Sequence, residues 1–162
     1  MRLLAALLFS LPAAAAPLAS GTPRLQLRLE ALASQPSTRL PTRGGGGVGV
    51  GYRITDQLWI VADAATRAAP GGGIASVAAG LQATLDATPI SPYLELAMVD
   101  LGNRKSVGYS LATRTGLGAD WAFSRAWGLG LVVRTYTAFD GDDPGLAGLE
   151  AALRFVFTPG AK

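Results

Sequence analysis

Apolar and polar residues alternate with a period of two through most of the chain beyond residue 21. Such alternation is the mark of strands with two unlike faces. It predicts eight strands, at Thr22–Leu32, Gly46–Thr55, Leu58–Arg67, Ile74–Leu85, Pro92–Leu101, Val107–Phe123, Trp127–Phe139 and Leu146–Thr158. In the last, Leu149, Ala151, Leu153, Phe155 and Phe157 share one face, with Glu150, Ala152, Arg154 and Val156 on the other. In the first, Leu25, Leu27 and Leu29 alternate with Arg24, Gln26, Arg28 and Glu30. The second sets Val48, Val50, Tyr52 and Ile54 against Gly47, Gly49, Gly51 and Arg53. The seventh sets Trp127, Leu129, Leu131 and Val133 against Gly128, Gly130, Val132, Arg134 and Tyr136. The third mixes its faces, since Trp59 and Val61 share parity with Asp63 and Arg67, and the alanine-rich fourth also suits a helix. Period two and the β-branched, aromatic and glycine content favour strands throughout.

The connections differ in kind. Thr55–Gln57, Ser124–Ala126 and Asp86–Ser91 are short, whereas Ala33–Gly45, Ala68–Gly73, Gly102–Ser106 and Asp140–Gly145 are longer or rich in Gly, Pro and charge. An even number of strands joined by alternating long and short connections is the layout of an up-and-down barrel with four loops at one end.

Charge placement adds a constraint. Twelve charges lie within the predicted strands: Arg24, Arg28, Glu30, Arg53, Asp63, Arg67, Glu95, Arg114, Asp120, Arg134, Glu150 and Arg154. Where a strand holds several, they share one parity, apart from Asp100 at a strand end. Arginine at the lipid midplane costs about 2–4 kcal/mol, so the charged parity is expected to face a lumen and form a paired network there. Eight strands enclose an interior just wide enough for side chains to fill. The outward aromatics, Tyr52, Trp121, Phe123, Trp127, Phe155 and Phe157 near one end and Tyr109 and Phe139 near the other, are expected to form two girdles at headgroup depth.

The first residues have a different character. Arg2 precedes the apolar run Leu3–Leu11, then Pro12 and the small residues Ala13–Ala16. This predicts a cleaved signal peptide over residues 1–16, with residues 17–162 as one barrel domain exported to the outer membrane. The run is about half of the roughly 20 residues a spanning helix needs.

Composition supports an apolar solvent on one side of the sheet. Charged residues are 15% of the 162, hydrophobic ones 49%, and the net charge is +3; a soluble domain carries about 25% charge. The chain has no cysteine and no histidine. That excludes a disulfide scaffold, a thiolate zinc site and a cysteine nucleophile, and it removes the commonest general base. The only lysines are Lys105 and Lys162. Gly44–Gly51 lacks the helix and lysine of a phosphate loop, and Asp140–Gly145 lacks the EF-hand spacing. No catalytic, cofactor or metal residues are therefore expected.

These features together resemble the small eight-stranded outer-membrane β-barrel family of Gram-negative bacteria. The resemblance spans residues 22–158, and its best local features are the Gly116–Gly130 hairpin and the final strand Leu149–Phe157. In that strand alternating apolar residues end on an aromatic, similar to the family's assembly signal, although Thr158–Lys162 follow here. The resemblance implies a non-enzymatic integral membrane protein with a filled polar lumen, in an envelope-structural or surface-interaction role. It also implies passage by periplasmic chaperones and the barrel-assembly machinery. The family's enzymes use a histidine-assisted site, which this chain lacks. Arg39, Arg43, Arg104 and Lys105 would lie at the outer rim, where lipopolysaccharide phosphates are a candidate partner. A monomer without nucleic-acid binding is expected. Two alternatives remain from the residues: a narrow pore for ions or small solutes, and a soluble lipocalin-like barrel with its faces reversed.

Overall fold

The alternating segments pair into one closed sheet in a computed structural model, which describes residues 25–35, 42–69, 72–85, 90–103, 109–139 and 148–159. The strands are β1 (Leu25–Gln35), β2 (Arg43–Arg53), β3 (Leu58–Ala69), β4 (Gly72–Thr84), β5 (Ile90–Asn103), β6 (Tyr109–Ala122), β7 (Trp127–Ala138) and β8 (Gly148–Phe157). Each pairs antiparallel with its neighbours in sequence, and β8 closes on β1, so no edge is left unpaired. Arg24 and the predicted signal segment lie outside the described residues.

Register fixes the shape. A walk along Cα partners from Leu25 through Tyr52, Ile60, Leu81, Leu96, Thr115, Thr135 and Leu149 returns to Gln35, a stagger of ten residues over eight strands. With a rise of about 3.3 Å and a spacing of about 4.8 Å, that stagger tilts the strands by about 40° and sets a radius near 8 Å. An 11-residue strand such as β1 then stands roughly 27 Å tall along the axis, close to the apolar band of a membrane barrel.

One end carries the β2–β3, β4–β5 and β6–β7 connections, with the start of β1 and the end of β8; we call it the turn end. Two of its hairpins use the same device. The Thr55 hydroxyl accepts the Leu58 amide at 3.0 Å, and the Ser124 hydroxyl accepts the Trp127 amide at 3.0 Å. Each hydroxyl satisfies a backbone donor that the reversal leaves unpaired.

The loop end departs from the sequence expectation. Residues 33–35 and 43–45, read as loop, belong to β1 and β2, with Ala33 opposite Gly44. The connection read at Ala68–Gly73 shrinks to residues 70–71, because Ala68 pairs with Gly73 and Ala69 with Gly72. It is the shortest connection, so the long-short alternation does not hold there. Glycine reads locally as a breaker, but a neighbouring strand supplies the ladder hydrogen bonds that hold it extended.

Candidate functional site: the charged lumen

Parity divides the barrel into two surfaces. Leu29, Val77, Leu94, Leu117 and Leu131 project outward and are more than half exposed, with comparable residues on every strand. The lumen-facing set is buried, including Arg114 and Arg134 at 1% exposure and Arg154 and Glu150 at 0%. Asp100 is exposed on β5.

Three acids organise the lumen. Glu30 on β1 takes both terminal nitrogens of Arg134, at 2.5 and 2.8 Å, and Nε of Arg154 at 2.9 Å. Glu150 on β8 accepts Arg67 Nε at 2.6 Å and the Tyr136 hydroxyl at 2.7 Å, with Arg134 at 3.4 Å. Glu95 on β5 lies 2.5 Å from Arg114, without hydrogen-bond alignment at that oxygen, and 3.3–3.4 Å from Arg154 and Arg134. Arg114 also forms a bidentate pair with Asp63, at 2.8 and 2.5 Å. Bidentate guanidinium–carboxylate geometry is the strongest form of this contact.

The belt ties β1, β3, β5, β6, β7 and β8 together across the interior. Neutral groups complete it. Arg67 donates to Ser76 and Tyr136 at 2.8 Å, Arg154 donates to Gln82 at 3.3 Å, and the Arg154 guanidinium lies 4.8 Å from the Tyr93 ring. Strand β2 supplies the space instead. A Cβ on Gly45 would collide with the Thr66 carbonyl oxygen, and one on Gly51 would lie 3.0 Å from Arg28 Nη2. The inward face of β2 is bare so that its neighbours' long side chains fit.

Five buried arginines (28, 67, 114, 134, 154) face five acids (30, 63, 95, 120, 150), of which Asp63 and Asp120 are half-buried, so these ten charges balance; half-buried Arg43 and Arg53 add two cations on the same parity at the two ends of β2. Each charge has lost water and relies on fixed partners, and displacing one leaves another uncompensated. Arg28 and Asp120 sit at the turn-end side. Arg28 donates to Gln26 at 2.8 Å, and Asp120 lies 3.8 Å from Arg154.

Two other predicted positions have different surroundings. Arg53, half-buried, donates to the Thr55 and Asp56 carbonyls at 3.2 and 2.9 Å and so braces the β2–β3 turn. Arg43, placed in the first long loop by the sequence, is the half-buried first residue of β2 on the lumen parity. Arg39, Arg104 and Lys105 lie outside the described residues.

Sequence reading gave no role to Tyr93, Tyr136, Gln82 and Ser76, which share parity with the charged positions. Parity was the signal that could have found them: Tyr93 is two residues from Glu95, and Tyr136 two from Arg134.

The aromatics gather on one side of the turn end. Rings of Trp121 and Phe123, Phe123 and Phe155, Trp127 and Phe155, and Trp127 and Phe157 lie 6.0, 6.4, 5.1 and 4.4 Å apart. Trp121, Phe123, Trp127 and Phe155 are exposed, and Phe157 is half-buried. Tyr52 is exposed on β2, while β3–β5 carry Ile60, Leu85, Ile90 and Leu94 at this end. The turn-end girdle is thus a sector over β6–β8 with an outlier, not a ring. Phe139 is exposed just beyond β7; the side chain of Tyr109 lies outside the described residues.

A closed, eight-stranded, antiparallel up-and-down barrel with an apolar exterior and a polar interior defines the structural class. Among solved structures, the fold is similar to the N-terminal β-barrel domain of OprF from Pseudomonas aeruginosa, with 15% identity and a TM-score of 0.59 over 84% of this chain and 98% of that one. It is similar to Neisserial surface protein A (NspA), with 17% identity and a TM-score of 0.58 over 83% and 95% of the two chains. A structure from the de novo design of transmembrane β-barrels matches at 13% identity and a TM-score of 0.59, over 84% and 96%. No family profile and no curated protein matches the sequence. At these identities the likeness is one of fold.

Proposed function

We propose that the chain is a non-enzymatic integral outer-membrane protein. Its lumen is plugged by the Glu30–Arg134–Arg154 belt, and its loop end serves an envelope-structural or surface-interaction role. One observation carries this reading: large apolar side chains are exposed on every strand while the balanced charges are buried inside. Water would penalise such a surface, and lipid favours it. The facing is the reverse of what a soluble ligand-carrying barrel needs. The buried belt favours a plug over a narrow pore. The fold likeness to OprF and NspA barrel structures supports a membrane barrel.

In this reading the predicted signal peptide directs export, and periplasmic chaperones and the assembly machinery handle the chain on its way. The turn end then faces the periplasm, and Arg39, Arg104 and Lys105 contact lipopolysaccharide phosphates from the loop end, without Arg43, which lies half-buried on the lumen parity of β2. Electrophoresis with and without boiling tests the barrel, and a heat-dependent mobility shift is the expected result. A soluble protein that does not shift would overturn the reading. Planar-bilayer recordings should show no stable unitary conductance. Neutralising Arg39, Arg104 and Lys105 should weaken lipopolysaccharide binding and flatten its salt dependence.

A further inference from the structure

Three buried polar atoms on the turn-end side of the belt have no hydrogen-bond partner: Arg28 Nη2, the Tyr93 hydroxyl and Asp120 Oδ1. Beside them a cavity of about 120 Å³ opens at the turn end, lined in part by Gln26, Trp59, Gln82, Ser91, Asp120 and Ser124. Gln26 holds Arg28 from below, and Tyr93 stands beside Gly118, the lumen-facing neighbour of Asp120 on β6. Buried polar atoms next to a roomy polar cavity are where internal water resides. Further in, the belt closes the lumen. Beyond it, Ala78, Ala97, Val99 and Ala112 form an apolar cluster of at most 3% exposure.

We propose that the turn end of the lumen is a blind vestibule that takes up water and small cations, up to the size of an alkylammonium ion, with Asp120 as its anionic group and the Arg154–Glu30–Arg134 belt as its floor. Asp120 is the acidic side chain among the lining residues, and one of its oxygens is uncommitted. Arg154 and Arg28 are the strand cations on this side; the nitrogens of Arg154 serve Glu30, Glu95 and Gln82, and Arg28, which is not among the lining residues, donates Nε to Gln26. Arg125, the basic lining residue, belongs to the exposed turn at the mouth. Ser91 and Ser124 add hydroxyl acceptors. Gly130, opposite Asp120, keeps the carboxylate in place, since a Cβ there would collide with Oδ1.

The chain has no cysteine, so single thiols report cleanly. Ser91→Cys places one in the vestibule and Ala112→Cys places one in the apolar cluster. Both variants, refolded in detergent and checked by heat-shift electrophoresis, are treated with 2-aminoethyl and 2-sulfonatoethyl methanethiosulfonate. The vestibule thiol should react on the order of 100-fold faster, because the buried one is reached only through local opening. The cationic reagent should be favoured about tenfold, a preference that Asp120→Asn should abolish. Equal rates at the two positions, fast or slow, would overturn the blind vestibule. An anion preference, or one unchanged by Asp120→Asn, would overturn the cation assignment. Should Asp120→Asn not fold, protection of the Ser91→Cys thiol by methylammonium chloride but not by the same concentration of methanol, its neutral isostere, asks the same question, and equal protection by both overturns the assignment.

Discussion

Glu30→Gln tests the belt most directly. The substitution keeps the shape of the side chain and removes one charge, leaving five buried arginines against four acids. Arg134 loses the charge behind its two shortest contacts, 2.5 and 2.8 Å, and Arg154 loses the one 2.9 Å from its Nε. Their remaining acids stand 3.3–3.4 Å away, apart from the more distant Asp120. Breaking a buried pair on one side costs about 3–5 kcal/mol, because the other charge remains. With a denaturant slope of about 2 kcal/mol per molar urea, the unfolding midpoint should fall by roughly 2 M. Adding Arg134→Gln restores balance at four against four. The double variant should therefore be more stable than Glu30→Gln alone, with a coupling of about 2 kcal/mol or more in a double-mutant cycle. The assay is urea unfolding in lipid vesicles, followed by tryptophan emission and by the boiling-dependent gel shift. Additive losses, or a single-variant loss below about 1 kcal/mol, would refute the claim that these charges depend on one another.

Three further outcomes follow from the same geometry. Gly80→Ala should cost about 1–3 kcal/mol or block folding, since its Cβ would collide with the Leu96 carbonyl oxygen and the Ala97 backbone; Gly44→Ala, with nothing within 4 Å, should stay within about 0.5 kcal/mol, and urea midpoints separate the two. Leu117→Arg, at a position 63% exposed, should lose about 2–4 kcal/mol in vesicles, and a loss below about 0.5 kcal/mol, as at a water-facing site, would count against a lipid-facing wall. Thr55→Ala and Ser124→Ala should each cost about 0.5–1.5 kcal/mol and add independently, because each removes one turn hydrogen bond in a separate hairpin.

The facing of the strands was legible because the period-two signal needs only local sequence. Leu25, Leu27 and Leu29 against Arg28 and Glu30 already state which side of β1 meets which solvent. Strand ends at the loop end were not legible, since Gly72 and Gly73 look like a loop until Ala68 and Ala69 pair with them. The pairings inside the lumen were hidden for a different reason. Arg67 meets Glu150, 83 residues away, and Arg154 meets Glu30, 124 away. Only the ten-residue stagger brings those positions to one level.

A buried ionic belt is weak evidence of stability, since well-packed apolar residues of similar volume often do as well or better. Its value here lies in register. A one-residue slip in any strand exchanges its two faces, and an apolar lumen would make that exchange nearly free in lipid, where both faces would be alike. With arginine inside, a slip of β8 alone would carry Arg154 toward the lipid and strip Glu30 and Glu95 of a partner. At about 2–4 kcal/mol for the exposed arginine and about 3–5 for the broken pairs, the wrong register lies roughly 5–9 kcal/mol above the right one. That gap is comparable to the whole stability of a typical domain. The charges on the inner face therefore specify which way β1, β3 and β5–β8 face, and the glycines of β2 are what allow so many long side chains to meet inside an eight-stranded wall.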